Sequence, residues 1–507
     1  MSVAKVYSAQ LVGLKSERIT VEVDISNGLN AFSVVGLGDR AVEEAKDRVA
    51  ASIKNSGFPS PKQRNQKVVI SLAPADLRKE GPSFDLAMAL VYLLATNEVR
   101  FESAGKLFLG EMSLEGDVRK VSGLLPILCQ AANHGFKEVY IPKDNSNEAL
   151  LARNIEIYPI SSLAEIVNHF RGLKLIERLE PRETLGPNNE KSGLNMKTIR
   201  GNESAKRGLE IAAAGAHNLL MCGPPGTGKT MLANAFPSIL PSLSYEQSVE
   251  VTSIHSAAKI LDAKMITEPP FRAPHHTASY PSIVGGGSFP KPGEITLAHR
   301  GVLFLDEFPE FDRSVIEALR QPLEDRIITI SRARGVIVFP AQCILIASMN
   351  PCPCGKGENG CTCSAKALEA YRRRLSGPIM DRLDIWLNVS KIDYDKLANG
   401  AATGESSETI QARVKSARVI QEKRFAQFGI KKYFNSEMSA EDLEKIANLE
   451  IESRSILTDS AKRLELSGRA FHRIIKVSRT IADLAGAEKI KKEHILEALQ
   501  YRQKIAG

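Results

Sequence analysis

The segment HNLLMCGPPGTGKTMLANAF, residues 217 to 236, places a short apolar run before Gly223-x-x-x-x-Gly228-Lys229-Thr230 and a helix-forming run after it. Strand, glycine-rich loop and helix are the context a phosphate-binding loop requires, because backbone N–H groups and the helix N-terminus then face the phosphates. The loop residues Gly223, Pro224, Pro225, Gly226, Thr227 and Gly228 would form the cradle. Lys229 would reach the β and γ oxygens of ATP, and the Thr230 hydroxyl would ligate Mg²⁺. Downstream, GVLFLDEF reads as a buried strand ending in Asp306 and Glu307. The first carboxylate would complete the Mg²⁺ shell and the second would orient and polarise the attacking water. A further apolar run, CILIASMNP, ends in Asn350. That amide could hold the water or the γ-phosphate, or simply form a turn before proline.

Two other groups of residues raise separate chemistry. Ser83 lies in RKEGPSFDLAMAL, and residues 1 to about 170, including LGEMSLEGDVRKVSGLLPILCQAANHGFKEVYIP, resemble the peptidase domain of Lon. A serine is only as nucleophilic as its base allows. The resemblance implies a lysine two residues after Gly123, where this chain has Leu125, and Lys120 lies at the wrong place in the motif. The expectation is a peptidase-like fold without the dyad, with Ser83 serving as a helix N-cap or turn residue. Second, CPCGKGENGCTC places Cys352, Cys354, Cys361 and Cys363 within twelve residues. Four thiolates can form a tetrahedral Zn²⁺ site, although C-x-C pairs are tighter than the usual C-x₂-C. The other reading is reduced, unliganded thiols in a surface loop. The pair His275 and His276 lacks enough partners for a metal site and reads as loop-forming.

The elements that must position these groups fall into segments. The chain has 507 residues, 43% of them hydrophobic, which suggests two to four domains. Residues 1–172 alternate strand-like and helical runs, and the polar, Pro- and Gly-punctuated stretch 173–195 reads as a linker. A second α/β pattern occupies 196–392 and contains the Cys-rich insert 352–363, and residues 393–507 are charged and helical. The N-terminus lacks a basic flank followed by an apolar run, and LAMALVYLLA is too short to span a bilayer, so a cytoplasmic protein without a membrane partner is expected. Clustered cysteines in a reducing compartment argue against a disulfide framework. Charges balance in residues 1–172, with 20 Lys+Arg against 20 Asp+Glu, so the net charge of +8 lies wholly in the remainder. That surplus is either a hint of a polyanionic partner or scattered solvated lysines.

The loop GPPGTGKT, the run LFLDE and the strand ending in Asn350 resemble an AAA+ ATPase. Together with RAPHHTASYPSIVGGGSFPKPGEITLAHRGVLFLDE, ASMNPCPCG and RLSGPIMDRLD, they are similar to the magnesium-chelatase-like branch, and within it to the ComM/YifB competence family. Asn202, in IRGNESAKRGLEIAAAG, departs from an expected Gln. The resemblance covers essentially the whole chain. It implies a Lon-protease-like α+β domain, a P-loop α/β core and a C-terminal helical lid, assembled as a hexameric ring. It further implies that Arg382 is an arginine finger reaching a neighbour's γ-phosphate and that Arg469 is the lid arginine called sensor 2. Such cations suit the charge spread over a transferring phosphoryl group. The strand-like runs IITIS and VIVFPA flank RARG, which has the composition of a hairpin tip. In this branch that hairpin faces the central pore, so Arg332 and Arg334 would track a DNA backbone; alternatively they keep an edge strand soluble. The implied function is an ATP-driven motor on branched or single-stranded DNA, active in branch migration. A chelatase-type remodeller of a protein partner is the alternative, and an ATP-dependent peptidase is disfavoured by Leu125.

Overall fold

A computed structural model describes residues 4–63, 65–180, 194–261, 265–287, 290–332, 335–357, 360–390 and 404–502. Two compact units emerge. One comprises Met1–Pro187 with Ser248–Ile266 and Ser288–Lys291, and the other comprises Asn188–Gln247, Thr267–Gly287 and Pro292–Gly507. The mixed α/β class expected from the sequence is what the chain adopts. Division of the second unit into an ATPase core and a lid remains a proposal. Among the described residues no helix is long and apolar enough to cross a membrane.

The first unit is α+β. Ala4–Val12, Lys15–Asn27 and Gln66–Ala73 pair antiparallel, and Ala31–Val35 adds in parallel at the edge. Alternation explains this sheet: Val68, Ile70 and Leu72 are buried, whereas Val69 and Ser71 between them are only partly so and Lys67 before them is exposed. The helix Asp85–Ala95 is buried on nearly every side, consistent with its unbroken apolar run. A second, parallel sheet joins Lys106–Phe108, Glu138–Pro142 and Glu156–Ile160.

The Ser83 loop decides between the two roles expected for that residue. The helix cap is Phe84, with no side-chain hydrogen bond, so Ser83 is a turn residue and not an N-cap. Its carbonyl accepts from the Gly110 N–H at 3.0 Å, while its hydroxyl has no hydrogen-bond partner among the described residues. The turn is set instead by Asp85, fully buried, which receives Arg48 Nε at 3.0 Å and the Met112 N–H at 3.2 Å. Burial still pushes the Asp85 carboxyl up to about 7, against the pull of Arg48. Leu125 is completely buried, and its N–H donates to Glu148 at 3.0 Å, so no proton acceptor stands where the resemblance would place a base. Lys79, also buried, donates to the Pro74 carbonyl and not to Ser83.

The second unit is built on five parallel strands in the spatial order Phe271–Arg272, Val302–Leu305, Ile344–Met349, Leu219–Cys222 and Ile385–Asn388. All four residues of Val302–Leu305 are buried, as are Leu219, Leu220 and Met221, which is the signature of strands covered on both faces. C-terminal to the sheet lie the helices Ser407–Gln427, Ala440–Ile446, Ile451–Arg463, Gly468–Leu484 and Lys492–Gln500. Gly468–Leu484 is strongly amphipathic: Ile474, Ile475 and Ser478 are buried and Arg469 is exposed.

Because the Ser83 hydroxyl makes no hydrogen bond among the described residues, Ser83→Ala is expected to leave the unfolding free energy of the protein within about 0.5 kcal/mol of wild type. Denaturant titration of both proteins measures this, and a larger loss would restore a capping role.

Candidate active site

Strand register assembles the site. Cys222 pairs with Met349 and with Asn388, so Gly223 leaves the sheet level with Asn350. Leu305 pairs with Ala347, which puts Asp306 level with Ser348. The Gly223 N–H donates to the Met349 carbonyl at 3.2 Å, extending the ladder one step into the loop.

The loop takes its shape from its glycines. A Cβ on Gly223 would stand 2.2 Å from the Val389 carbonyl oxygen, and Gly226 and Gly228 have φ of +75° and +91°. Thr227 Oγ1 closes the turn by donating to the Pro224 carbonyl at 2.9 Å. Asn202, the residue that departs from the family pattern, donates its side-chain amide to the Thr227 carbonyl at 3.4 Å, so the shorter residue still reaches the loop. Helix Lys229–Ala235 starts directly after Gly228.

Lys229 is buried, and its ammonium donates to the carbonyls of Gly223 at 2.5 Å and Pro224 at 2.9 Å and to Asn350 Oδ1 at 3.2 Å. Desolvation lowers its pKa, with Asp306 pulling the other way. The structure therefore brings Lys229 and Asn350 together. Thr230 Oγ1 donates to Asp306 Oδ2 at 2.8 Å, so the two groups expected to ligate Mg²⁺ are adjacent. Ser348 donates to the other Asp306 oxygen, and the Glu307 N–H donates to that same oxygen at 3.0 Å. Glu307 is exposed, with φ +52°. His276 Nδ1 lies 3.4 Å from Glu307 Oε2, and its ring stacks near His275 at 4.1 Å between centroids.

Ser348 and His276 are the two neighbours that sequence reasoning passed over. A hydroxyl inside the otherwise apolar run ILIASM was a usable signal for Ser348. The histidine pair was read as loop-forming, and nothing local ties His276 to a glutamate thirty-one positions on.

Arg382 and Arg469 stand apart from this cluster: among the described residues neither has a hydrogen bond or ion pair to a P-loop side chain. Arg382 Nη1 donates to the Pro378 carbonyl at 2.7 Å, and Nη2 donates to Glu324. The Glu324 carboxyl is held below its ordinary range first by that hydrogen bond, and Arg469 and Arg473 add to the effect. The four cysteine Sγ atoms lie within 4.8 Å of one another, with Cys352 and Cys354 3.3 Å apart and Cys354 and Cys361 3.8 Å apart. A zinc–sulfur bond of about 2.3 Å in a tetrahedron sets sulfurs ~3.8 Å apart, so this donor set fits the metal. Backbone N–H groups of Lys356 and Thr362 hold the Cys354 thiol down to about 5, and the Gly357 N–H donates to Cys352 Sγ at 3.4 Å. The cysteine loop also backs the P-loop: a Cβ on Gly355 would lie 2.9 Å from Pro225. Helix Ala365–Arg374 then returns Tyr371, whose hydroxyl donates to the Asn350 carbonyl at 3.1 Å.

The pairing of Ile327–Arg332 with Gly335–Pro340 forms an antiparallel hairpin closed by Arg332 opposite Gly335. Arg334 and the side chain of Arg332 lie outside the described residues.

Similarity to known proteins extends over the whole chain. Residues 195–397 match the family described as "Magnesium chelatase, subunit ChlI", residues 21–145 match "Subunit ChlI of Mg-chelatase", and residues 404–502 match "Magnesium chelatase, subunit ChlI C-terminal". The chain is 41% identical over 511 residues to the competence protein ComM of Haemophilus influenzae, covering 100% of this chain and 98% of that one. It is 39% identical to the protein YifB of Salmonella typhimurium, covering 99% and 97%. A shorter match, 27% identical over 178 residues, is to the Lon protease of Brucella suis, covering 33% of this chain and 21% of that one.

The Gly223 contact generates a direct test. Gly223→Ala would press a methyl group on the Val389 carbonyl and displace the loop while leaving the sheet buried. Affinity for a fluorescent ATP analogue is expected to fall by at least about tenfold, with the melting temperature shifted by only a few degrees. Unchanged nucleotide affinity would contradict the packing described.

Proposed function

We propose that this chain, which belongs to the ComM/YifB family of magnesium-chelatase-like AAA+ ATPases, hydrolyses ATP in a hexameric ring and couples hydrolysis to movement along branched or single-stranded DNA. Its fold is that family's: a Lon-protease-like α+β domain, a P-loop AAA+ α/β domain and a helical C-terminal part. The observation that carries the ATPase reading is the meeting of Lys229, Thr230, Asp306 and Asn350 at the rim of one parallel sheet, with Glu307 beside them.

Each side chain has a distinct task in this reading. Lys229 exchanges its two loop carbonyls for β and γ oxygens, so a charge already desolvated meets its partner without a long search. Thr230 and Asp306 would hold Mg²⁺, which would supply positive charge to offset that of the phosphates. Ser348 and the Glu307 N–H fix Asp306, leaving the oxygen beside Thr230 to face the metal. Glu307 orients and polarises water, and Asn350 positions that water or the γ-phosphate. Arg382 acts across a subunit interface as the finger, and Arg469 stabilises phosphoryl charge as sensor 2. The Cys352, Cys354, Cys361 and Cys363 thiolates hold a structural Zn²⁺ that stiffens the loop behind Pro225.

The DNA half of the proposal is supported by the similarity to ComM, a competence protein, by the basic surplus confined to residues 173–507 and by the hairpin bearing Arg332 and Arg334. The family description as a chelatase subunit favours a second reading, in which the same ATPase remodels a protein partner.

Three-strand exchange with purified protein and ATP tests the motor. Wild type is expected to move the branch point, and its ATPase rate to rise with DNA. Glu307→Gln should retain ATP binding and lose hydrolysis by about 10² or more, whereas Lys229→Ala should weaken binding itself. Replacing Arg332 and Arg334 together by Ala should weaken DNA binding uniformly across sequences and flatten its salt dependence. DNA-independent ATPase with no strand exchange would favour the protein-remodelling reading. For zinc, elemental analysis of protein purified without chelator should give about one Zn²⁺ per chain, lost in Cys361→Ser. Metal-free protein with full ATPase activity would refute the site.

A further inference from the structure

Helix Arg320–Asp325 is a turn and a half long and is pinned at both sides by side chains. On one side Gln321 and Thr329 exchange two hydrogen bonds: Gln321 Nε2 donates to Thr329 Oγ1 at 2.9 Å, and the Thr329 N–H donates to Gln321 Oε1 at 3.0 Å. Thr329 sits in the hairpin, paired with Val338, so this helix is fastened to the hairpin's base and not merely joined to it in sequence. On the other side the helix holds the segment that carries the finger. Arg320 Nη2 donates to Ser376 Oγ at 3.3 Å, and Glu324 takes Arg382 Nη2. Arg320 and Glu324 are four residues apart, which places these two on one face of the helix, toward the finger segment.

Both terminal nitrogens of the Arg382 guanidinium are engaged within its own chain. Its Nη1 is on the Pro378 carbonyl, its Nη2 is on Glu324, and its Nε is buried without a partner among the described residues. Only 14% of this side chain is exposed, whereas Glu324 is 56% exposed. To reach an anion on a neighbour, Arg382 must release one partner, and the half-exposed carboxylate is the one a competing anion can replace. Exposed carboxylate–guanidinium pairs are weak, and a polyphosphate carries more charge than a carboxylate. The positive charges of Arg469 and Arg473 also lower the Glu324 carboxyl, so the carboxylate that holds Arg382 occupies the same positive field as the phosphate proposed for it would.

We infer that helix Arg320–Asp325 is a lever between the hairpin and the arginine finger, and that Glu324 is a positioning residue that retains Arg382 until assembly and DNA on the hairpin release it to the neighbour's nucleotide. This rests on the reading of Arg382 as the finger and of the hairpin as the DNA contact. Load on the hairpin moves Thr329, Thr329 moves Gln321, and the helix carries Glu324 with it. ATP hydrolysis in one subunit is thereby matched to DNA held by the subunit that donates the finger.

The test measures steady-state ATPase of the full chain with and without single-stranded DNA, with ring assembly of every variant checked by sedimentation. Glu324→Gln is expected to raise the DNA-free rate by about 5-fold or more and to bring the ratio of stimulated to basal rate near unity. Gln321→Ala should leave the DNA-free rate within about 2-fold of wild type while losing most of the stimulation. Glu324→Asp, which keeps the charge but shortens the reach, should fall between wild type and Glu324→Gln, and it serves if the Gln variant does not assemble. Arg382→Ala separates the layers of the argument. If it stays active, the finger reading falls and the lever falls with it. If it is inactive while the Glu324 and Gln321 variants match wild type in both rate and ratio, the lever alone is overturned. A lowered DNA-free rate in Glu324→Gln would also overturn it, since Glu324 would then be aiding the finger and not restraining it. If wild type shows no DNA stimulation, the DNA reading fails, and the DNA-free rate of Glu324→Gln still decides whether Glu324 restrains Arg382.

Discussion

Parallel pairing of five short strands is the constraint on which the site depends. Because parallel strands all run the same way, their carboxyl ends share one rim, and whatever residue follows each strand is delivered there. The register then decides which residues meet. With Cys222 opposite Met349, the first loop residue is level with Asn350; with Leu305 opposite Ala347, Asp306 is level with Ser348. A slip of one residue would turn each side chain to the other face of the sheet and dissolve both contacts. The buried strands Val302–Leu305 and Ile344–Met349 therefore do more than fill the core, since their apolar packing locks the register that holds the polar rim.

The C-terminal helices are tied to this sheet by a buried polar network. His217 precedes the P-loop strand, and its Nδ1 lies 3.2 Å from Asp384 Oδ2 while Nε2 lies 2.8 Å from Thr480 Oγ1 of the helix Gly468–Leu484. Arg473, on the same helix, donates to the Leu383 carbonyl at 3.2 Å. Although burial opposes it, the His217 hydrogen bond and Arg473 hold the Asp384 carboxyl well below the usual range. Asp384 follows Arg382 by two positions, so the helix carrying Arg469 and the loop carrying Arg382 share one anchor. Buried polar groups of this kind hold a defined arrangement because every alternative leaves one of them unpaired.

Much of this was legible in the sequence, and the limits have physical causes. The P-loop, the Asp306-Glu307 pair and Asn350 could be read because each is a local pattern: an apolar strand followed by residues whose chemistry is plain. The amphipathic helix with Arg469 opposite Ile474 and Ile475 was legible for the same reason. His276 and Glu324 were not, because each matters through a partner far along the chain and no spacing rule connects Glu324 to Arg382; Ser348 offered a signal, its hydroxyl in an apolar run, but not the identity of its partner. Of the two roles expected for Ser83, the structure keeps the turn and not the cap: buried Asp85, held by Arg48, fixes the turn, and the cap falls to Phe84. Loss of the peptidase base was readable, since a leucine at position 125 cannot accept a proton in any conformation.

Glu307 holds a left-handed backbone, and this limits which replacements the position can accept. At φ +52° a β-branched side chain crowds its own backbone, so Val, Ile and Thr are penalised before any question of chemistry arises, while Asn, Asp and Gly are tolerated best. Gln keeps the geometry of Glu and removes only the charge. Descendants of this sequence that abandon hydrolysis thus have a narrow set of routes open to them. The residue found at this position in a silent relative would record backbone geometry as much as lost activity.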